Sequence, residues 1–493
     1  MSKSQADTKM ISRVDRSDPK FNAYQKERRM HWERFAQLLG RWSGWGGSYH
    51  KRLRRVYGNI IPPGRRIFEI GCGEGDLLAA LEPSLGVGVD LSGTMIHRAK
   101  AAHPDLHFSQ ADAHFLPFET KFDVIILSDL INELWDLQAV LAQIAPLTHA
   151  RTRLVINTYN RLWEFPLNVA ERFGLAKPSL NLNWFTVDDV TNLLDLEDFE
   201  PIRTWQEVLL PLPLPGIAQF FNRFLVRFWP FRHLALTNFI AARPAAGSSM
   251  ASRSLPRVSV IVPARNEAGN IPAIFKRVPK LGAETELVFV EGHSRDDTYA
   301  AIEKAIAAHP EQLSQAFQQT GEGKGDAVRL GFEKATGDVL IILDADLTVP
   351  PEDLVRFIDV LVSRKGDFVN GVRLVYPIED EAMRAANFIG NKFFSTAFSW
   401  LFGQPVKDTL CGTKGMWRDD YQLLAENRAY FGKLDPFGDF DLLLGAARMN
   451  LKIVDLPVRY RSRTYGETNI QRWKHGWLLL RMLALAARRL KFI

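Results

Sequence analysis

A chain of 493 residues is longer than one hydrophobic core usually organises, so at least two domains are expected. Its 62 Lys and Arg against 56 Asp and Glu leave a charge of +6 at pH 7, a mild basic excess that is no nucleic-acid signature and gives no reason to expect a nucleic-acid partner. Two cysteines, Cys72 and Cys411, exclude a disulfide framework and a metal knuckle and point to a reducing, cytoplasmic compartment.

Residues 1–20 are polar and charged, read as a disordered start, and hold no apolar core of a secretory signal. Residues 21–61 carry Trp32, Trp42, Trp45, Tyr49 and Tyr57 among many basic residues, which predicts helices packed over the next domain. Arg66 to Ile70 is a short apolar strand, followed at once by the glycines of Gly71, Gly73 and Gly75 and then by the helical run Leu77 to Leu81. Glycine admits positive φ and close backbone approach, so such a turn can hold a ligand at a helix N-terminus. Further strands are expected over Gly86 to Asp90 and Phe122 to Leu127, with a segment ending at Asp112 and Ala113 between them. Ser128, Asp129, Asn132 and Glu133 follow the last of these and read equally as acceptor-side residues or as a helix cap.

This order resembles the class I S-adenosylmethionine-dependent methyltransferases, from Glu69 through the glycine turn to Asp90 and Asp112. The resemblance covers residues 21–244 and implies a Rossmann-like α/β fold. It implies that Glu69, Gly71, Gly73 and Gly75 bound the methionine part of S-adenosylmethionine, that Asp90 holds the ribose and that Asp112 with Ala113 flanks the adenine. A nicotinamide-binding domain shares the glycine turn and ribose acid, but the Gly-x-Gly-x-Gly spacing and the Asp112 segment disfavour it. Leu209 to Trp229 mixes prolines, aromatics and spaced arginines, a pattern that fits a helix in a headgroup layer or one closing an acceptor pocket. Leu234 to Arg243 reads as the last strand, and residues 245–256 as a small-residue linker.

The second half opens with the strand Val258 to Val262, then Pro263, Arg265 and Glu267. A strand ending at Glu291, the glycine-flanked Lys324 and the buried strand Val339 to Leu343 follow. That last strand delivers Asp344 and Asp346 where α/β sheets place ligands, and side chains two apart in an extended chain point the same way. Two carboxylates so placed suit a hard divalent cation, Mg²⁺ or Mn²⁺, with positions left for a diphosphate.

Over residues 257–472 these features resemble the inverting family 2 glycosyltransferases of GT-A α/β fold, and among them the dolichol- or polyprenyl-phosphate sugar synthases. The likeness extends through Arg373, the helix Asn387 to Phe402, Asp408 to Lys414, and Val454 to Thr468. It implies that Pro263, Arg265, Glu267, Glu291 and Lys324 contact the nucleotide sugar and that Asp344 and Asp346 hold the metal. Arg373 and Arg463 would bind acceptor phosphate or donor diphosphate. Two departures stand out. Gly292 and His293 replace the usual acid and glycine after Glu291, and Lys414 stands where an arginine is usual, without its planar fork. His293 reads as a loop residue and Cys411 as packing.

A phosphate acceptor is already anionic and needs only cationic guidance, whereas a hydroxyl needs a base, for which Asp439 and Asp441 are the candidates; both read equally as a helix start. No segment reaches the roughly 18 uninterrupted apolar residues of a spanning helix, and the basic apolar tail 473–493 is expected to lie on a membrane or pack on the core. The expectation is a bifunctional enzyme, peripheral on the inner face of the cytoplasmic membrane, that uses a nucleotide sugar and a polyprenyl-phosphate-type acceptor. The alternatives are a transferase to a glycan hydroxyl that also methylates the glycan, and a non-catalytic membrane scaffold.

Overall fold

A computed structural model of the chain describes residues 14–173, 179–212, 214, 216–246, 255–373, 385–428, 440–461, 463, 465 and 472–493, without the side chains of 38–46, 385–389, 391 and 472–476. Residues 1–13, most of the expected linker (247–254), Gly438, Asp439 and Gly466 to Thr468 lie outside the described residues. The chain divides into two units, 1–248 with the last two residues, and 249–491.

In the first unit, strands β1 (Arg66–Ile70), β2 (Leu85–Asp90), β3 (His107–Gln110), β4 (Val124–Ser128), β5 (Arg153–Tyr159), β6 (Phe199–Glu207) and β7 (Thr237–Pro244) form one sheet in the order β3-β2-β1-β4-β5-β7-β6. All neighbours are parallel except β7, which runs antiparallel to both β5 and β6. The register pairs Ile70 with Val89 and Leu127, and Ser128 with Asn157. The glycine turn, Asp90, Asp129 and Asn157 therefore share the carboxyl edge. Alternate residues of β1, β4 and β5 enter two cores: Phe68, Ile125 and Leu154 on one face, Ile67, Val124, Ile126 and Val155 on the other. Cover on both faces explains why these strands read as unbroken apolar runs.

The amino-terminal aromatics lie on one helix, Pro19–Ile60, which starts at Asp18 with the side chain accepting from the Lys20 amide. It is no detached lid: Leu53, Val56, Tyr57 and Ile60 fill the second core. The helix expected within Leu209 to Trp229 is confined to Ile217–Arg223, followed by a 3-10 turn at Leu225–Arg227. Arg227 is not a surface cation there. It is buried and paired with Glu207 at 2.7 Å, and Arg52 meets the same carboxylate at 2.8 Å, since a buried β6 carboxylate needs counter-charge in that interior.

The second unit's strands are β8 (Arg257–Ala264), β9 (Glu284–Glu291), β10 (Ser314–Gln318), β11 (Val339–Ile342), β12 (Phe368–Val372), β13 (Lys414–Trp417) and β14 (Ile453–Pro457), ordered β10-β9-β8-β11-β13-β12-β14. β11 is parallel to β8 but antiparallel to β13. It is still sealed on both faces, with Val339 to Leu343 fully buried. The tail forms the helix Arg472–Ala486, and its Leu479, Met482 and Ala486 pack in one core with Phe394, Phe398 and Leu401 of the helix Ala385–Phe402. Core packing accounts for that side of the tail.

Two candidate active sites

The first site is built on the turn after β1. Gly71, Gly73 and Gly75 all have positive φ (76°, 54° and 81°), which a side chain would resist. A Cβ on Gly75 would stand 2.5 Å from the Phe108 ring, and one on Gly71 2.9 Å from Leu130, while one on Gly73 would meet nothing within 4 Å. Open space at this turn lies in front of Gly73. Asp90 accepts from the Gly73 amide at 3.0 Å and the Ser92 amide at 2.9 Å, which fastens the turn to the end of β2; burial raises its pKa against those two amides.

Glu69 is buried, and burial pushes its carboxyl up to about 8; its Oε2 is buried without a hydrogen-bond partner. A buried polar atom left without a partner is a site where a bound group could complete the hydrogen bonding. Asp112 accepts from the His114 amide at 2.9 Å and contacts His114 Nδ1 at 2.7 Å, with Ala113 packed at the margin of the first core.

Of the residues after β4, Asn132 is structural: it accepts from the Thr158 hydroxyl at 2.8 Å and donates to the Asn183 carbonyl at 2.7 Å. Glu133 accepts from the Trp32 indole at 2.6 Å. Asp129, held at φ 53°, accepts from the Tyr49 hydroxyl at 2.7 Å and from Asn157 at 2.5 Å. Tyr49 and Tyr159 complete this group, 6.5 Å apart between ring centres, with burial and the Asp129 charge pushing both phenols up. Tyr49 arrives from a helix some 80 residues upstream, and no local motif marks it.

In the second unit β11 ends at Ile342, and the chain turns: the Leu347 amide donates to the Asp344 carbonyl at 3.2 Å, and Leu347 has φ 54°. Asp344 and Asp346 therefore leave a turn rather than alternate along a strand. Lys324 Nζ lies 2.5 Å from Asp344 Oδ1. Arg463 lies 2.7 Å from Asp346 Oδ2 and 3.3 Å from Glu267 Oε1. Thr348 donates to Asp346 Oδ1 at 2.8 Å. Burial raises Glu267 to about 7; Arg463 opposes this, while Asp346 and Asp344 add to it. Gly412 closes the group: a Cβ there would lie 2.1 Å from Lys324 Nζ and 2.2 Å from Asp344 Oδ2. The antiparallel β13 is what brings that glycine to β11.

Beside this cluster, the register sets Pro263 against Val290 and Ala264 against Glu291, with Arg265 exposed just beyond. Glu291 is buried and accepts from the Ser294 amide, whose hydroxyl in turn accepts from the Asn266 amide at 3.0 Å. Gln319, which the sequence did not single out, is buried next to Glu291 with its Oε1 unpartnered. His293 points to the Gly321 carbonyl at 3.0 Å, as a loop residue does.

Arg373 takes a different partner from Arg463. It forms a two-pronged pair with the fully buried Asp408, at 2.7 and 2.9 Å, and so ties the end of β12 to the loop of Gly412. Asp441, in the first turn of the helix Phe440–Arg448, is held by Arg428 at 2.9 Å with Arg329 at 4.0 Å. Lys414 is buried and donates to the Cys411 carbonyl. Burial raises the thiols of Cys411, to about 11, and of Cys72 further still, so neither is a nucleophile at neutral pH.

Residues 67–150 match the family model "Methyltransferase domain", and residues 259–422 match "Glycosyl transferase family 2". Both resemblances read from the motifs are borne out. Among curated proteins, the chain is similar to an undecaprenyl-phosphate 4-deoxy-4-formamido-L-arabinose transferase of Sodalis glossinidius, 26% identical over 43% of this chain and 63% of that one. It is also similar to the protein of the same name from Klebsiella pneumoniae, 31% identical over 43% and 62%. The chain thus spans just under two thirds of the length of these two relatives. A solved Thermotoga maritima S-adenosylmethionine-dependent methyltransferase, described as a possible histamine N-methyltransferase, aligns at 17% identity and a TM-score of 0.35, covering 44% of this chain and 99% of that one.

Proposed function

We propose that this chain, a methyltransferase domain followed by a family 2 glycosyl transferase domain, is a bifunctional enzyme. One half transfers a sugar from a nucleotide sugar to a polyprenyl-phosphate-type lipid; the other methylates an acceptor from S-adenosylmethionine. The observation that carries the glycosyl reading is the charge set at the Asp344 turn, where two carboxylates stand against Lys324 and Arg463 beside the Pro263, Glu267 and Glu291 edge. The curated relatives lend the acceptor class, since their printed names specify undecaprenyl phosphate.

In this reading Glu291 and Gln319 receive the base, Lys324 and Arg463 guide the donor diphosphate and the acceptor phosphate, and Gly412 keeps the floor of the site open. Displacement is in line, with inversion. An acceptor that arrives ionised needs orientation and cationic guidance rather than a proton acceptor, which agrees with Asp441 being paired to Arg428. Asp344 and Asp346 fit a divalent cation by donor chemistry. Two carboxylates would leave an ion there positions for water and phosphate oxygens, as Mg²⁺ keeps. When bound, it would supply charge neutralisation to the leaving diphosphate.

For the methyl half, the open space before Gly73, the unpartnered Glu69 oxygen and Asp90 support an S-adenosylmethionine cradle, and the Asp129, Tyr49 and Asn157 group supports an acceptor edge. Alignment and exclusion of water are then the protein's main contribution. Among the described residues no helix is long and apolar enough to cross a membrane, and the proposed placement is peripheral on the cytoplasmic side. The deciding experiment incubates radiolabelled nucleotide sugars with undecaprenyl phosphate and extracts with organic solvent. Label should enter the organic phase and fall by about 10²–10³-fold in Asp344→Asn, the size of loss typical when one stabilising group is removed. Donor hydrolysis without extractable label would instead favour a hydroxyl acceptor.

A further inference from the structure

Two helical segments of the methyltransferase unit present apolar stripes to solvent. The helix Glu164–Arg172 buries none of its side chains. With its flanks, Leu162, Phe165, Val169 and Phe173 recur at three- and four-residue intervals, hence on one face, and are 60, 77, 38 and 73% exposed. The helix Ile217–Arg223 also buries none, and Ile217, Phe220 and Phe224 repeat the spacing at 55, 52 and 39% exposed. Single exposed apolar residues need no explanation. Two stripes in helical phase do, because a helix in a water-soluble fold turns such a stripe inward.

The first stripe is fastened at its start to the turn that follows the second segment. Asn160 donates to the carbonyls of His233 and Ala235, each at 3.0 Å, and the Trp163 indole donates to the Leu234 carbonyl at 2.9 Å. Around the second stripe the charge is of one sign, with no Asp or Glu between Glu207 and Glu267; the first carries Glu164 and Glu171 beside Arg161 and Arg172, and Arg161, Arg172 and Arg232 are exposed. Aromatic and aliphatic stripes rimmed by arginine match a headgroup layer, where rings sit at the acyl boundary and guanidinium groups meet phosphate.

We propose that these two stripes form one face that docks the methyltransferase unit on an anionic lipid bilayer. The inference rests on the lipid-acceptor reading above and deepens it by giving the methyl half its own membrane contact. The first stripe leaves the sheet three residues after Tyr159, beside the Asp129 edge, so an acceptor carried by a lipid reaches that edge without leaving the surface.

Both native cysteines are buried, so the full chain can be labelled at one introduced thiol. F165C, F220C and, as a control at an exposed site off this face, E119C are labelled with acrylodan and mixed with vesicles of phosphatidylcholine alone or with phosphatidylglycerol. The expected result is a blue shift with a rise in emission at positions 165 and 220 on phosphatidylglycerol vesicles, weakened by salt, and no change at 119. If labelled protein sediments with these vesicles but positions 165 and 220 stay unshifted, the bilayer contact lies elsewhere; the docking face is overturned while the membrane reading stands. Neither sedimentation nor shift overturns both. Shifts at 165 and 220 in a protein that leaves no sugar in the organic phase keep the docking face and remove the lipid-phosphate acceptor.

Discussion

Gly73 and Gly75 belong to one turn but have opposite surroundings, and substitution separates ligand from fold. In Gly75→Ala the methyl meets the Phe108 ring at φ 81°, so left-handed strain and overpacking together should cost about 2–4 kcal/mol, read as a lower melting temperature. In Gly73→Ala the methyl enters open space; stability should change less, while S-adenosylmethionine affinity, measured by calorimetry, should fall at least tenfold, which is about 1.4 kcal/mol. Glu69 sets a pH dependence. Its carboxyl is raised from an ordinary 4.5 to about 8, so between these values the folded state keeps a proton that the unfolded chain has released. Stability therefore falls as pH rises through that window, by up to about 1.4 kcal/mol per pH unit. Glu69→Gln, which cannot ionise, should flatten the melting-versus-pH curve of the transition that S-adenosylmethionine shifts.

At the scale of elements, the helix Lys324–Lys334 is seated on β8 through Gly331, where a Cβ would lie 2.5 Å from Ile261 Cγ2. Alanine would favour the helix by up to about 1 kcal/mol over glycine, yet Ile261 is fully buried and β-branched, with little freedom to yield. Packing should win, and Gly331→Ala should destabilise by about 1–2 kcal/mol net. Because the same helix carries Lys324 at its start, sugar transfer should drop with it, whereas S-adenosylmethionine binding should not. The amino-terminal helix teaches a related lesson: its aromatics looked like a cover, but Tyr57 donates to Asn157 on β5, so this helix is core and lies against the proposed acceptor edge at once.

For the whole molecule, two α/β domains with separate ligand sets predict separable chemistry. Chelation of divalent cations should lower sugar transfer by at least about 10²-fold, the order expected when transition-state charge loses its partner, and Mg²⁺ or Mn²⁺ should restore it. S-adenosylmethionine binding, titrated on the same preparation, should be unaffected. Transfer that persists in chelator would remove the metal from the mechanism while leaving Lys324 and Arg463 as the charge partners.

What the sequence determined by itself are the features written in local chemistry. The glycine turn, Glu69, Asp90, and the run Val339 to Leu343 ending in Asp344 each combine a strand, a turn and an acid within a few residues, and backbone sterics and burial leave such a pattern few other meanings. Only the tertiary structure decided what depends on distant partners. Arg373 and Arg463 are alike in sequence, yet one pairs with Asp408 and the other faces Asp346 and Glu267. Arg227 looked like a surface cation until Glu207 required a counter-charge in the interior. Tyr49 and Gln319 reach their sites through a helix and a neighbouring strand that carry no motif, because charge compensation and packing act through space rather than along the chain.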